Sequence, residues 1–147
     1  MFWLSALLAV VLGVLLAVQV GVNARLRYHV GDAAIAGLIS AAVAALSLLV
    51  YLLAARRSWP DPAEALRAPW WVWTGGIIGG LYISLTLPLV TRLGAALLLA
   101  LLVVGQLLAA LVLDHFGALN LPRHAVNPWR ILGVAFLIVG VVLIRRS

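Results

Sequence analysis

The chain has 147 residues, of which 66% are apolar, 10% are charged and none is cysteine. A water-soluble domain needs about 25% charged residues to cover its surface, so this composition excludes a soluble fold and makes lipid the solvent. Without cysteine there is no disulfide, thiolate metal site or thiol redox chemistry. The net charge of +6 comes from arginine alone, and arginines at the edges of apolar segments face anionic headgroups rather than nucleic acid.

Five windows carry no charge: Met1 to Ala24, Ala33 to Ala55, Ala68 to Thr91, Leu93 to Leu113 and Ile131 to Ile144. The first four reach the roughly 20 residues that cross a hydrocarbon core. The last does so only with Trp129 and Arg145 at the interfaces and the flanking arginines snorkelling outward. Backbone groups in hydrocarbon must be satisfied within the segment, so each window is a helix. The first window lacks a basic leader and is too long for a signal core, so it reads as a retained helix. The expected fold is all-α and integral to the membrane. It is a single membrane domain over 1–147, with five transmembrane helices at about 2–24, 33–55, 69–90, 94–113 and 129–145.

The punctuation between windows agrees. Gly31-Asp32 offers an N-cap for the second helix, and Pro69 suits the first turn of the third. Asp61-Pro62-Ala63-Glu64 suits one interfacial turn, and Asn127-Pro128 a cap followed by an N1 proline. Only Thr91-Arg92-Leu93-Gly94 separates the third and fourth helices, as in a hairpin. The six tryptophans fall near helix ends, where an aromatic belt belongs.

Five spans put the termini on opposite sides of the membrane. The N-terminal side then carries Arg56, Arg57, Arg67, Arg123 and Arg130, and the other carries Arg25, Arg27, Arg92, Arg145 and Arg146. An excess of basic residues in cytoplasmic loops normally sets orientation, and here there is none. The balance predicts dual topology: an upright copy pairs with an inverted one, so that two identical chains form an inverted-repeat transporter.

Small residues lie where helices would approach. Gly75-Gly76-Ile77-Ile78-Gly79-Gly80 forms overlapping small-xxx-small pairs, and Gly13, Ala17 and Gly21 share a face of the first helix. Gln19 and Asn23 lie about 140° from that stripe, which gives this helix a packing face and a polar face. Gln106 and Tyr82 fall near the middle of their helices, Thr86 shares a face with Tyr82, and Ser40 shares one with Ser47. Polar groups in hydrocarbon are costly unless they bond across helices or line water. Gln106, Tyr82, Gln19, Asn23 and Thr86 are therefore the candidate substrate-binding residues. Interhelical stitching, capping and hydroxyl back-bonding are the plainer alternatives.

Asp114 ends the fourth helix, where its charge opposes the helix dipole. His115, Arg123 or Arg130 should hold it, as a loop salt bridge or as a gate or coupling site. No catalytic pattern, metal-ligand spacing or cofactor motif is present. The histidines fall in loops and carry no assignment.

Val18-Gln19-Val20-Gly21-Val22-Asn23-Ala24-Arg25-Leu26-Arg27 resembles the start of the YdcZ-type family of the drug/metabolite transporter superfamily. Pro69-Trp70-Trp71 through the glycine pairs, Gly105-Gln106, Leu113-Asp114-His115-Phe116-Gly117 and Arg130-Ile131-Leu132-Gly133 with Gly140 extend the resemblance over essentially the whole chain. It implies a multi-pass exporter of the bacterial inner membrane, each chain resembling one five-helix half of a ten-helix transporter. Gln19, Asn23, Gln106 and Asp114 are its pattern positions. The glutamate that the superfamily's four-helix multidrug exporters carry in the first helix has no counterpart here. The expectation is a small-molecule transporter working by alternating access as an antiparallel homodimer, or with a related chain of opposite orientation. With no deep charge, its solute should be neutral, zwitterionic or amphipathic. A dual-topology channel and an accessory membrane subunit are the rival readings.

Overall fold

The computed structural model describes every residue except Met1, Pro60, Leu121 and Ser147. It divides into two compact units, Met1–Thr91 and Arg92–Ser147. The first contains α1 (Phe2–Val30), α2 (Ala33–Ala54), the short α3 (Pro62–Leu66), a 3-10 turn (Trp70–Trp73) and most of α4 (Thr74–Leu93). The second contains α5 (Ala95–Phe116), a 3-10 turn (Ala118–Asn120) and α6 (Pro128–Arg146). Among the described residues, five helical segments are long and apolar enough to cross a membrane: Phe2–Val30, Ala33–Ala54, Trp70–Leu93, Ala95–Phe116 and Pro128–Arg146.

The helix starts follow the local chemistry of their caps. The Asp32 carboxylate accepts from the Ile35 amide at 2.9 Å, and the Asn127 side chain accepts from the Arg130 amide at 2.9 Å, with Pro128 opening α6. Asp61 accepts from the Ala63 amide at 2.8 Å and starts the single-turn α3. Each bond satisfies a donor that the first helical turn leaves without a partner. Glycine supplies the backbone at two breaks. Gly94, at φ 78°, separates α4 from α5, and Gly117, at φ 61°, closes α5 with its N–H turned back to the Asp114 and Leu113 carbonyls. A side chain would strain either conformation.

Two helices run well past the ends expected from the sequence. α1 runs to Val30 rather than stopping near residue 24, and it carries Arg25, Arg27 and His29 on helix instead of loop. α5 runs to Phe116 and includes Asp114 and His115. A charge-free window measures the stretch suited to lipid, whereas the hydrogen-bond ladder continues into the headgroup region. Cations in a last turn also favour the helix dipole.

Within the first unit, α2 and α4 meet at Gly37. A Cβ there would lie 3.2 Å from Ile83 Cγ2 and 3.3 Å from Ser84 Oγ, and Gly37 and its neighbour Ala36 are both buried. The expected packing glycines behave otherwise. Around Gly13, Gly21, Gly75, Gly76, Gly79 and Gly80, no described atom lies within 4 Å of an added Cβ, so these small-residue faces meet no neighbour within their own unit. Side-chain burial is sparse throughout. Val20, Ala36, Leu87, Val90, Leu98 and Val134 are the buried apolar residues among those described, while most leucines, valines and tryptophans are exposed. Exposing that much apolar area to water would cost about 25 cal/mol per Å²; in a bilayer it is the proper surface.

Candidate functional site

The polar residues of α1 and α4 come together along one seam. Gln19, Asn23, Tyr82 and Thr86 line a common cleft, walled by Leu16, Val20, Ile83 and Leu87. Gln19 and Asn23 are one helical turn apart, as are Tyr82 and Thr86, so each pair presents one face. Asn23 and Thr86 are buried, at 9% and 5% exposure, whereas Gln19 is exposed at the rim.

The Tyr82 hydroxyl is the exceptional atom of the seam. It is buried and makes no hydrogen bond among the described residues, although an unsatisfied buried hydroxyl costs about 1–3 kcal/mol. Three other hydroxyls of the first unit are satisfied by the backbone of their own helix. Ser47 donates to the Val43 carbonyl at 2.8 Å, Ser84 to Gly80 at 3.0 Å and Thr91 to Pro88 at 2.9 Å. For Ser47 this is the back-bonding alternative.

One turn beyond Asn23, Arg27 extends the α1 stripe. Its Nη1 donates to the Leu87 carbonyl at 3.2 Å and to the Thr91 hydroxyl at 3.2 Å, so it straps α1 to α4. Residue numbers rise together on the two helices, from Asn23 beside Thr86 to Arg27 beside Thr91, so the helices run parallel along the seam. Beyond the strap lies a wider recess lined by Ala24, Arg27, Tyr28, Gly31 and Thr91. The cleft offers about 30 Å³ and the recess about 340 Å³. The first is room for a water or two; the second suits a small solute. The strap meets α4 beside Pro88, a proline inside the helix. Pro88 has no N–H for the Ser84 carbonyl, so α4 is weakened there.

The second unit arranges its polar groups differently. Asp114 pairs with Arg130 at 3.2 Å, both side chains about one-third exposed, and the pair borders a groove lined by Leu107, Ala110, Leu111 and Gly133. Arg130, rather than His115 or Arg123, is thus the side chain that holds Asp114. Arg123 donates to the His115 carbonyl at 3.0 Å, and the His124 amide donates to the Asp114 carbonyl at 2.8 Å. His115 Nδ1 accepts from the Val126 amide at 3.3 Å. The chain after α5 is therefore bonded back onto the carbonyl end of that helix. Gln106 lies near the middle of α5, exposed and outside the residues lining this groove.

Arg27 and Gly37 are the residues that sequence reasoning passed over. Arg27 counted only toward the charge balance, although its spacing of four from Asn23 continued the polar face. Gly37 belongs to Ala33-Gly37-Ala41-Ala45, small residues at intervals of four on α2, the same spacing that singled out Gly13 and Gly21 on α1.

Residues 4–143 match the model of the family described as "Putative inner membrane exporter, YdcZ". The chain is also 33% identical over 78 residues to the inner membrane protein YdcZ of Escherichia coli strain K12. That alignment covers 52% of this chain and 51% of the relative, so the match spans about half the length of the curated protein. No solved structure matches.

Proposed function

The chain belongs to the YdcZ inner membrane exporter family, and we propose that it is a multi-pass inner-membrane transporter of a small solute. In this reading it works by alternating access as an antiparallel pair of copies. The observation that carries the reading is the seam of α1 and α4, where Asn23, Thr86 and the unpartnered Tyr82 hydroxyl face one cleft. Polar groups held among hydrocarbon without partners are costly, and a solute with hydrogen-bonding groups would offset that cost. The cleft is too narrow for such a solute as it stands, so α1 and α4 must part to admit it. Pro88 gives α4 a place to bend.

The reading of a second copy is supported by the arginine balance of five against five and by the glycine faces that meet nothing within their own unit. An inverted partner would bring its own Gln106 and Tyr82 to similar depth and close against those faces. Asp114, paired with Arg130, is in this scheme a gate at the membrane surface.

Flux into proteoliposomes tests the proposal. Saturable uptake by the wild type, reduced in both Gln106→Ala and Tyr82→Phe, is the expected result. Unaltered flux in both variants would move the site elsewhere. Flux that never saturates would favour a channel, and a dimer that moves nothing would favour an accessory subunit.

A further inference from the structure

We propose that Arg27 is an anion-recognition residue, and that the solute is amphipathic with an acidic head. The head docks on Arg27 in the recess, and the apolar or neutral remainder enters the cleft lined by Gln19, Asn23, Tyr82 and Thr86. This rests on the transporter reading for the meaning of the site, but its test reads binding alone.

Three observations converge on Arg27. It is half-buried on the polar face of α1, and the groups it touches, the Leu87 carbonyl and the Thr91 hydroxyl, are neutral. Among the described residues, the ion pair is Asp114–Arg130, and no carboxylate lies within 4.0 Å of Arg27. Its neighbour Arg25 is occupied differently, stacked over the Tyr28 ring at 4.9 Å. A half-buried guanidinium held by neutral acceptors keeps donors in a planar fork suited to a carboxylate or phosphate. Charge-assisted bonds to such an anion are roughly twice as strong as the neutral bonds now made.

Geometry then joins recognition to opening. Arg27 stands between the wide recess and the narrow cleft, bonding to the carbonyl of Leu87, which itself walls the cleft. An anion that claims the guanidinium competes with Leu87 and Thr91, and losing those bonds releases α1 from α4 beside Pro88. The acidic head thereby unlocks the cleft for its own tail. A solute of the same shape without the charge lacks the competitor that breaks the strap.

The test compares 4-phenylbutyrate with 4-phenylbutyramide, which share a shape and differ in charge. Binding to the purified full chain in lipid-free neutral detergent is read by thermal shift and calorimetry. The wild type should bind the acid about tenfold more tightly than the amide. Arg27→Gln should abolish that preference, with amide binding at least as tight as in the wild type because the strap is gone, and with helical circular dichroism unchanged. Thr91→Val, which keeps the cation and removes one strap partner, should retain the preference and bind the acid at least as tightly as wild type. Equal binding of acid and amide by the wild type, a preference that survives Arg27→Gln, or no saturable acid binding up to millimolar concentration would each overturn the proposal. Added phosphatidylglycerol separates the two sources of an anionic head. Arg27-dependent stabilisation by that lipid but not by the free acid would make the ligand a headgroup and overturn the solute assignment. Arg27-dependent acid binding without flux would instead remove the transport reading and leave the anion site standing.

Discussion

Along α1 and α4, amide and hydroxyl groups face a cleft between apolar walls, and Arg27 at its end bonds to neutral oxygens. Between α5 and α6 the polar groups answer one another: Asp114 holds Arg130, while Arg123 and the His124 amide occupy carbonyls at the end of α5. Both regions place polar chemistry in a chain that is 66% apolar, but they use it differently. Polar groups satisfied by each other fix a conformation, whereas polar groups left open raise the energy of the closed state and favour a ligand. The first region therefore has the properties of a binding seam and the second those of a clasp.

Substitutions can break or sharpen that contrast. The largest expected effect lies in packing beside the seam. Gly37→Leu should destabilise the first unit by about 2 kcal/mol through overpacking against Ile83 and Ser84, read as a lowered melting temperature in detergent. Gly79→Leu, on an open face, should leave that melting temperature unchanged and shift the proposed dimer toward monomer by light scattering. A melting loss in Gly79→Leu equal to that in Gly37→Leu would show that its face already packs within the chain.

Next in size is the clasp. Arg130→Gln leaves Asp114 without its partner, and for a pair one-third exposed the loss should be about 1 kcal/mol. Binding in the seam should not change, so a fall in solute affinity would erase the distinction between the regions. The smallest loss of stability is expected at Tyr82. Removing a buried hydroxyl that has no partner should not lower stability and should raise it by about 1 kcal/mol, while solute affinity falls roughly fivefold. A large stability loss in Tyr82→Phe would show that the hydroxyl is satisfied in the folded protein.

Much of this architecture was legible from residues in order. Charge-free windows located five helices because lipid tolerates few charges. Asp32, Asp61 and Asn127 announced their caps because capping is a contact of two or three residues along the chain. The extent of α1 was not legible, since Arg25 and Arg27 end an apolar run without ending a helix. The stripe of Gln19 and Asn23 and that of Tyr82 and Thr86 could each be placed on a face, but which helices are neighbours is a tertiary fact. Arg27 shows the gap most clearly: its two bonds span 60 and 64 residues, and only the parallel register of α1 and α4 makes them possible. Gly37 likewise acquires meaning only from Ile83 and Ser84 across the helix contact.

Two copies of opposite orientation are the central claim, and the absence of cysteine makes it directly measurable. Ser58→Cys introduces a lone thiol in the loop between α2 and α3. Its labelling by a membrane-impermeant maleimide can be compared in right-side-out and inside-out vesicles of known integrity. The account predicts that about half of the chains react from each side, as an equal mixture of upright and inverted copies requires. Reaction of essentially all chains from one side alone would contradict it.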